Sequence, residues 1–418
     1  MIKRCSYGIS AVAAALLAAG LGTAYGETKG PVTDELGVVE IPKGAPMVIG
    51  GYWVTSGPDT ALGLDSQRGA EIAFDDIENT IAGHPIQFVV EDDACSAEGG
   101  QTAATKLASL PNVVAVLGPA CSSAATTAAP ILWKAGISSI GTASTAPSLT
   151  APDRKPDYQG FLRTIYSDAD QGKNDANYFF NTLQCKTLAT IHDGSPYASQ
   201  LAGAAAKHFR ELGGEVVAEE AVTPTDVDMR PVLTGIGTKK PCVLYFPIFV
   251  AASAQILRQA PEVADLKDTH IIGGSAVMAP GMIEAAGDAA VGFRVTNVDI
   301  SPDAMGQRYP EFVEKYTEKY GEAPINSFHA QAYDAAVMLA KAIESVAKTD
   351  ADGNTFIGRK ALNDALYATK GMDGISGPIN CDEHGQCGGF NFAVYEFTES
   401  DPSTFKVGEN PKKIYPTE

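Results

Sequence analysis

From Pro46 onward the sequence alternates short β-branched runs with longer stretches of helical periodicity, and that alternation restricts the chain to a mainly parallel sheet with crossover helices. The runs at 47–52, 85–90, 113–117, 138–140, 187–191, 215–219, 242–246, 270–272 and 292–296 read as strands, and helical patterns fill 63–77, 97–109, 124–135, 171–182, 198–212 and 251–259. Strands run into turn-rich segments: SGPD, EDDAC, GPACSS, GTASTAP, HDGSPY, GGSAVMAPG. Ligands of open α/β sheets bind beyond the carboxyl ends of the strands, so function is expected at these turns. The series breaks at 150–160, TAPDRKPDYQG, and restarts after FLRT. The expected fold class is therefore α/β, with two doubly wound Rossmann-like lobes and a cleft between them. Helices between 303 and 347 come late and the tail 371–407 is strand-like, so the chain is expected to cross between lobes again.

The first 26 residues read as a secretory signal: Lys3 and Arg4, an apolar run from Gly8 to Gly22, and small residues before Glu27. The apolar run is too short to span a bilayer, and Cys5 precedes it instead of ending it, so neither a stable membrane anchor nor a lipid anchor is expected. Cleavage near Gly26-Glu27 would deliver the chain to the periplasm. It would move the formal charge from -19 to about -21 by removing two of 31 cationic residues, and would reduce seven cysteines to six. An acidic chain without a Lys/Arg run is not built for nucleic acid.

No enzyme constellation is present. The sequence lacks GxSxG, HExxH, a P-loop, C-x-x-C and a dinucleotide fingerprint, and its six histidines are scattered. His192, Asp193 and Ser195 resemble a triad only in composition, because adjacent residues at a strand end point in opposite directions. Neither an enzyme activity nor a cofactor is expected. The stronger signal is GPACSSAATTAAP, where Ser122 and Ser123 stand at the start of a helix. Hydroxyls and free N–H groups converging there suit a carboxylate, and an ordinary serine cap is the alternative. GTASTAP presents a second set of hydroxyls at a strand end.

The stretches VTSGPDTALGLDSQRGAEIAFDDIE, EDDACSA, LGPACSSAATTAAPI, ASTAPSLT, FLRTIYSDADQG, IHDGSPY and QILRQA resemble, in order and spacing, the periplasmic leucine/isoleucine/valine-binding proteins, the type I solute-binding proteins of ABC importers. The resemblance covers nearly the whole chain after the leader. It implies the type I periplasmic binding protein fold, with three crossover segments and a ligand trapped by hinge closure. The lobes are expected at 45–167 with 298–372, and at 168–297 with 373–418.

The resemblance also implies a site. Ser122 and the Ala143-Ser144-Thr145 turn match the positions that hold an amino acid's carboxylate and part of its ammonium group, Tyr197 matches a second-lobe tyrosine, and Phe249 aligns with a second-lobe aromatic. The family's acid facing the ammonium aligns with Ser275, which is a departure, and a first-lobe aromatic is replaced by Leu62, with Trp53 offering apolar surface nearby. An enclosed ammonium without a counter-charge is costly. Either Asp59, Asp168 or Asp193 supplies the charge, or the ligand is an aromatic, keto or hydroxy acid. Asp92 and Asp93 are expected to brace their turn, and Asp334 to make a structural contact. The Cys95–Cys121 bridge is carried over from the family, the two cysteines being taken as the ends of neighbouring strands. Cys185 with Cys242, and Cys381 with Cys387, are open to further bridges in an oxidising compartment, a zinc site in CDEHGQC being the alternative and no metal the expectation. The chain is expected to be a monomer that hands a small carboxylate, an amino acid foremost, to a cognate ABC permease. The rival is a periplasmic sensor with a signalling partner, which fold alone does not separate from a transporter.

Overall fold

The structure is a computed structural model that describes residues 26–389 and 391–416. The leader, including Cys5 and excepting Gly26, lies outside the described residues. No described helix is long and apolar enough to cross a membrane.

Two sheets organise the chain. In the first, β1 (Met47–Trp53) pairs in parallel with β2 (His84–Asp92) and β3 (Val113–Leu117), and β4 (Ser139–Gly141) and β5 (Phe161–Arg163) extend it. The order is β2-β1-β3-β4-β5, with the short strand Thr80–Ile81 outside β2. In the second, β6 (Thr187–His192), β7 (Glu215–Ala221), β8 (Val243–Phe246), β9 (His270–Gly273) and β10 (Arg294–Val298) run in the order β7-β6-β8-β9-β10. Two antiparallel strands, β11 (Phe392–Glu396) and β12 (Lys412–Tyr415), close that edge. Both sheets thus use one winding order, which reverses direction beside the first strand and opens a crevice there. All five residues of β3, Val-Val-Ala-Val-Leu, are buried, as a strand covered on both faces requires.

The helices assign each segment to a sheet. In the first half, α1 (Thr60–Asp76), α2 (Ala97–Ala108) and α3 (Ser122–Lys134) follow the strands, with α2 packed on α3. After β5 the chain passes to α4 (Asp168–Asn177), which packs on α5 (Pro196–Glu211) of the second sheet. The second series continues through α6 (Arg230–Gly237), α7 (Val250–Gln259) and α8 (Pro280–Ala286). After β10 the chain returns, because α9 (Tyr309–Tyr320) and α10 (His329–Val346) pack on α1, and α11 (Arg359–Tyr367) packs on α10. The third pass leads through residues 375–389 towards β11. The Cys381–Cys387 loop on that pass docks against β5, with Arg163 N–H donating to Gly385 and Cys387 N–H donating to Arg163.

Several elements escaped the sequence pattern for identifiable reasons. The three-residue β5 and the short α6 and α8 show too little periodicity to register. The segment 27–44 has no strand-helix alternation, yet Val38–Ile41 pairs antiparallel with Thr355–Gly358. In the same segment the Asp34 carboxylate accepts the N–H groups of Lys360 and Ala361 at the start of α11. The expected helix 171–182 begins earlier, at Asp168 behind the Ser167 cap, and ends in a π turn, Tyr178–Thr182.

All six described cysteines are paired, Cys95 with Cys121, Cys185 with Cys242, and Cys381 with Cys387. One expectation needs correction: β2 and β3, which precede Cys95 and Cys121, are not neighbours, because β1 lies between them. The bridge therefore spans the carboxyl end of the central strand and ties the two loops that flank the crevice. Cys95 and Cys121 are separated by 26 residues, so replacing both with serine is expected to lower stability by about 3 kcal/mol. An urea melt of the double variant beside the unaltered protein measures this, and superimposable transitions would contradict it.

Candidate functional site

The site is built at the carboxyl ends of both sheets. In the first, Gly118 leaves β3 at φ +99°, and a Cβ there would lie 2.2 Å from the Tyr52 carbonyl oxygen. Only glycine permits that turn, which places Ala120, Cys121 and Ser122 over the crevice. Cys121 occupies the cap position of α3 but makes no side-chain cap, its sulfur being bonded to Cys95. The N–H groups of the first helical turn are consequently left for another acceptor, and a helix start favours an anion. Ser122 is buried, and its Oγ accepts from Ala146 N–H at 3.1 Å, which leaves the hydroxyl proton free to donate.

The second turn, residues 142–146, is pinned from two sides. Trp53 Nε1 donates to Thr142 Oγ1 at 3.0 Å, and the fully buried Arg163 donates through Nη1 to the carbonyls of Ser144 and Ala146. Across the crevice, Ser195 caps α5 by accepting from Ala198 N–H, which sets Tyr197 in the first helical turn. The Tyr197 hydroxyl lies 3.4 Å from Ser275 Oγ and accepts from Ala276 N–H at 3.4 Å. The Phe249 ring stands 5.5 Å from the Tyr197 ring.

Ser122, Ala143, Tyr197, Phe249 and Ser275 line one cavity together with Leu62, Ala120, Cys121, Ala276 and Phe328. The cavity has a volume of about 10 Å³, room for about one water molecule, so a solute enters only when the two sides move apart. The two sides are closed on one another. Val250 N–H donates to Asp59 Oδ1 at 3.3 Å, Ser148 N–H donates to Gln200 Oε1, and Gln200 Nε2 donates to Ser148 Oγ, both at 3.0 Å.

The remaining expected residues take other places. Trp53 is fully buried, packs edge-on against Phe88 and does not line the cavity. It supports the site through Thr142. Ser144 and Thr145 lie behind the Ala143 wall, enclosed. Asp59 and Asp193 line an adjoining outer groove with Ser123 and Ser195, which shares Phe249 with the cavity. Burial raises Asp59 to about 6, and Asp193 accepts from Ser195 N–H. His192 Nδ1 accepts from Gly194 N–H, so His192, Asp193 and Ser195 each serve a backbone turn. Asp92 accepts from Thr55 N–H, Ser56 Oγ and Ala94 N–H, and Asp93 from Cys95 N–H, which braces the turn as expected. Asp334 holds the third pass by accepting from Ile375 N–H, Ser376 N–H and Ser376 Oγ. Among the described residues, Cys185, Cys242 and His270 approach metal spacing, but both sulfurs are in a disulfide and are not thiolates.

Phe328 was missed because it comes from the returning segment and not from a strand end. Its position is set by Asp65 on α1. This fully buried carboxylate accepts from the N–H groups of Ile325, Phe328 and His329, from His329 Nδ1 and from the Tyr316 hydroxyl. The signal was available as an acid on the buried face of an amphipathic helix, a position that needs several donors.

Two mainly parallel sheets wound in one order, three passes between them and a small closed cavity at their carboxyl edges define a two-lobed solute binder. The sequence pattern of the periplasmic binding proteins matches residues 46–401, and the chain belongs to that family. It is 28% identical over 351 residues to the Leu/Ile/Val-binding protein of Escherichia coli K12, covering 84% of this chain and 90% of the relative. It is 29% identical over the same length to the Leu/Ile/Val/Thr-binding protein of Salmonella typhimurium, with the same coverage. Its structure superposes on that of a leucine binding protein from Thermotoga maritima with a TM-score of 0.75 and 26% identity, covering 85% of this chain and 96% of that one. A solute binding protein from Rhodopseudomonas palustris in complex with benzoate shares the fold at a TM-score of 0.71 and 21% identity, covering 88% and 95%.

Proposed function

We propose that this protein captures an amino acid or closely related small carboxylate in the periplasm, by closure of two lobes, and presents it to an ABC permease. The lobes are 45–167 with 298–372, and 168–297 with 373–418. One observation carries the reading. The uncapped start of α3 and the Ser122 hydroxyl, on one lobe, face Tyr197 and Ser275 of the other across a closed cavity whose walls are otherwise apolar: Leu62, Phe249 and Phe328. A carboxylate would sit on the donors and an apolar side chain against the walls.

Such a ligand touches both lobes only when they are closed, so binding shifts the open–closed equilibrium by the difference in contact energy between the two states. The closed form is then the one a permease would recognise. The protein acts in this reading as an exported monomer without chemistry of its own, its leader removed near Gly26-Glu27. The binding role is supported by the relatives, which are binding proteins for leucine, isoleucine and valine, in one case also for threonine. Calorimetric titration of the purified protein with leucine, phenylalanine and benzoate tests the reading. At least one is expected to bind saturably with one site per chain, and no heat of binding from any of the three would overturn it.

A further inference from the structure

Five enclosed polar atoms without a hydrogen-bond partner lie on two adjoining segments behind the cavity wall. They are the hydroxyls of Ser144 and Thr145, both carboxylate oxygens of Asp168 and the amide oxygen of Gln171. Asp168 N–H donates to the Thr145 carbonyl at 2.9 Å, which fastens the start of α4 to that turn. Gln171 already uses its Nε2 on Thr296, so Oε1 is its free acceptor.

Asp168 is fully buried at the start of α4, fastened to Thr145, two residues from the wall residue Ala143. After burial, its charge is the strongest influence raising the pKa of the Tyr197 hydroxyl, which lines the cavity beside Ser275. It also raises that of Tyr166, whose hydroxyl engages Ser275. The nearby cation does not pair with it. Arg163 directs Nε to Gln386, Nη1 to the carbonyls of Ser144 and Ala146, and Nη2 to Thr150. Burial raises Asp168 to about 7, against the lowering effects of Thr145 and Arg163.

An enclosed carboxylate with no ion pair and no donor beyond the neighbouring Thr145 hydroxyl is costly to keep. Together with an amide oxygen and two hydroxyls it makes a group of acceptors, and a primary ammonium brings three donors. The cavity wall itself holds no acid. We propose that Asp168 is the counter-charge for the ammonium group of an amino-acid ligand whose carboxylate rests at the start of α3. The proposal rests on the binding function put forward above and narrows it from small carboxylates to those carrying an amine.

Two matched pairs test it by calorimetry: leucine with 4-methylpentanoate, and phenylalanine with 3-phenylpropanoate. The unaltered protein is expected to bind at least one amino acid more tightly than its desamino partner. Asp168→Asn is expected to weaken that amino acid by about tenfold or more while leaving the desamino acid unchanged or tighter. Equal weakening of both partners, or no weakening, overturns the role of Asp168. Ser275→Glu adds an acid to the wall without touching Asp168, and keeps the test open should the first variant fold poorly. It is expected to give no gain in amino-acid affinity, and a gain of about tenfold or more would show that the counter-charge was missing. A preference for the desamino acids overturns this inference but not the carboxylate reading, whereas absence of binding by all four overturns both.

Discussion

Replacing Asp65 by alanine is expected to lower stability by about 3–5 kcal/mol, the largest loss among single substitutions considered for this protein. The carboxylate takes donors from Ile325, Phe328, His329 and Tyr316 in the interior. Truncation leaves those donors enclosed and unpaired, each of which carries its own desolvation cost. The same carboxylate joins α1 to the N-terminus of α10, where the helices approach so closely that a Cβ on Gly69 would lie 2.1 Å from the His329 carbonyl oxygen. Asp65→Ala should therefore release the Phe328 wall of the cavity as well, and any ligand should bind more weakly even where the fold survives. Chemical denaturation with the m-value monitored measures the first effect. A loss below about 1 kcal/mol would mean that the network is dispensable.

The second large effect is on binding. Ser122→Ala removes the one hydroxyl on the first sheet's side that both lines the cavity and retains a free proton. A hydrogen bond to a charged group contributes about 1.5–3 kcal/mol, so affinity for a carboxylate ligand should fall roughly 10- to 150-fold. Ser122 is the first helical residue of α3 and not its cap, so the helix should persist. Ser123→Ala is the control, since that side chain faces the outer groove with Asp59 and Asp193. It should change affinity less than about threefold. Comparable losses in both variants would place the carboxylate elsewhere.

The architecture was legible because each sheet strand long enough to show a pattern also has a turn signal at its carboxyl end. VVAVL followed by GPACSS is one such case, observed at Val113–Leu117 with the chain turning at Gly118. What escaped was either short, as with β5 and α8, or lacked a strand-helix rhythm, as with Val38–Ile41, whose partner Thr355–Gly358 lies some 300 residues away. Serine and tyrosine positions of the site could be carried over because they sit beside a glycine turn or a helix cap. Phe328 could not, since its place depends on a carboxylate remote in sequence. Trp53 illustrates the reverse failure: a large aromatic at a strand end suggests ligand contact, but its indole N–H is spent on Thr142 and its rings on Phe88. Strand order is the other quantity that local pattern does not contain. Cys95 and Cys121 follow strands that are consecutive in sequence, yet β1 runs between them in the sheet.

Where a ligand's carboxylate lies decides how this cavity recognises it. The direct measurement is a crystal structure of the protein with the small molecule that co-purifies with it, identified beforehand by mass spectrometry. The expected result is a small acid enclosed by both lobes, its carboxylate on the Ser122 hydroxyl and the first N–H groups of α3, within reach of Tyr197. A ligand without a carboxylate, or one whose carboxylate points away from α3, would contradict it.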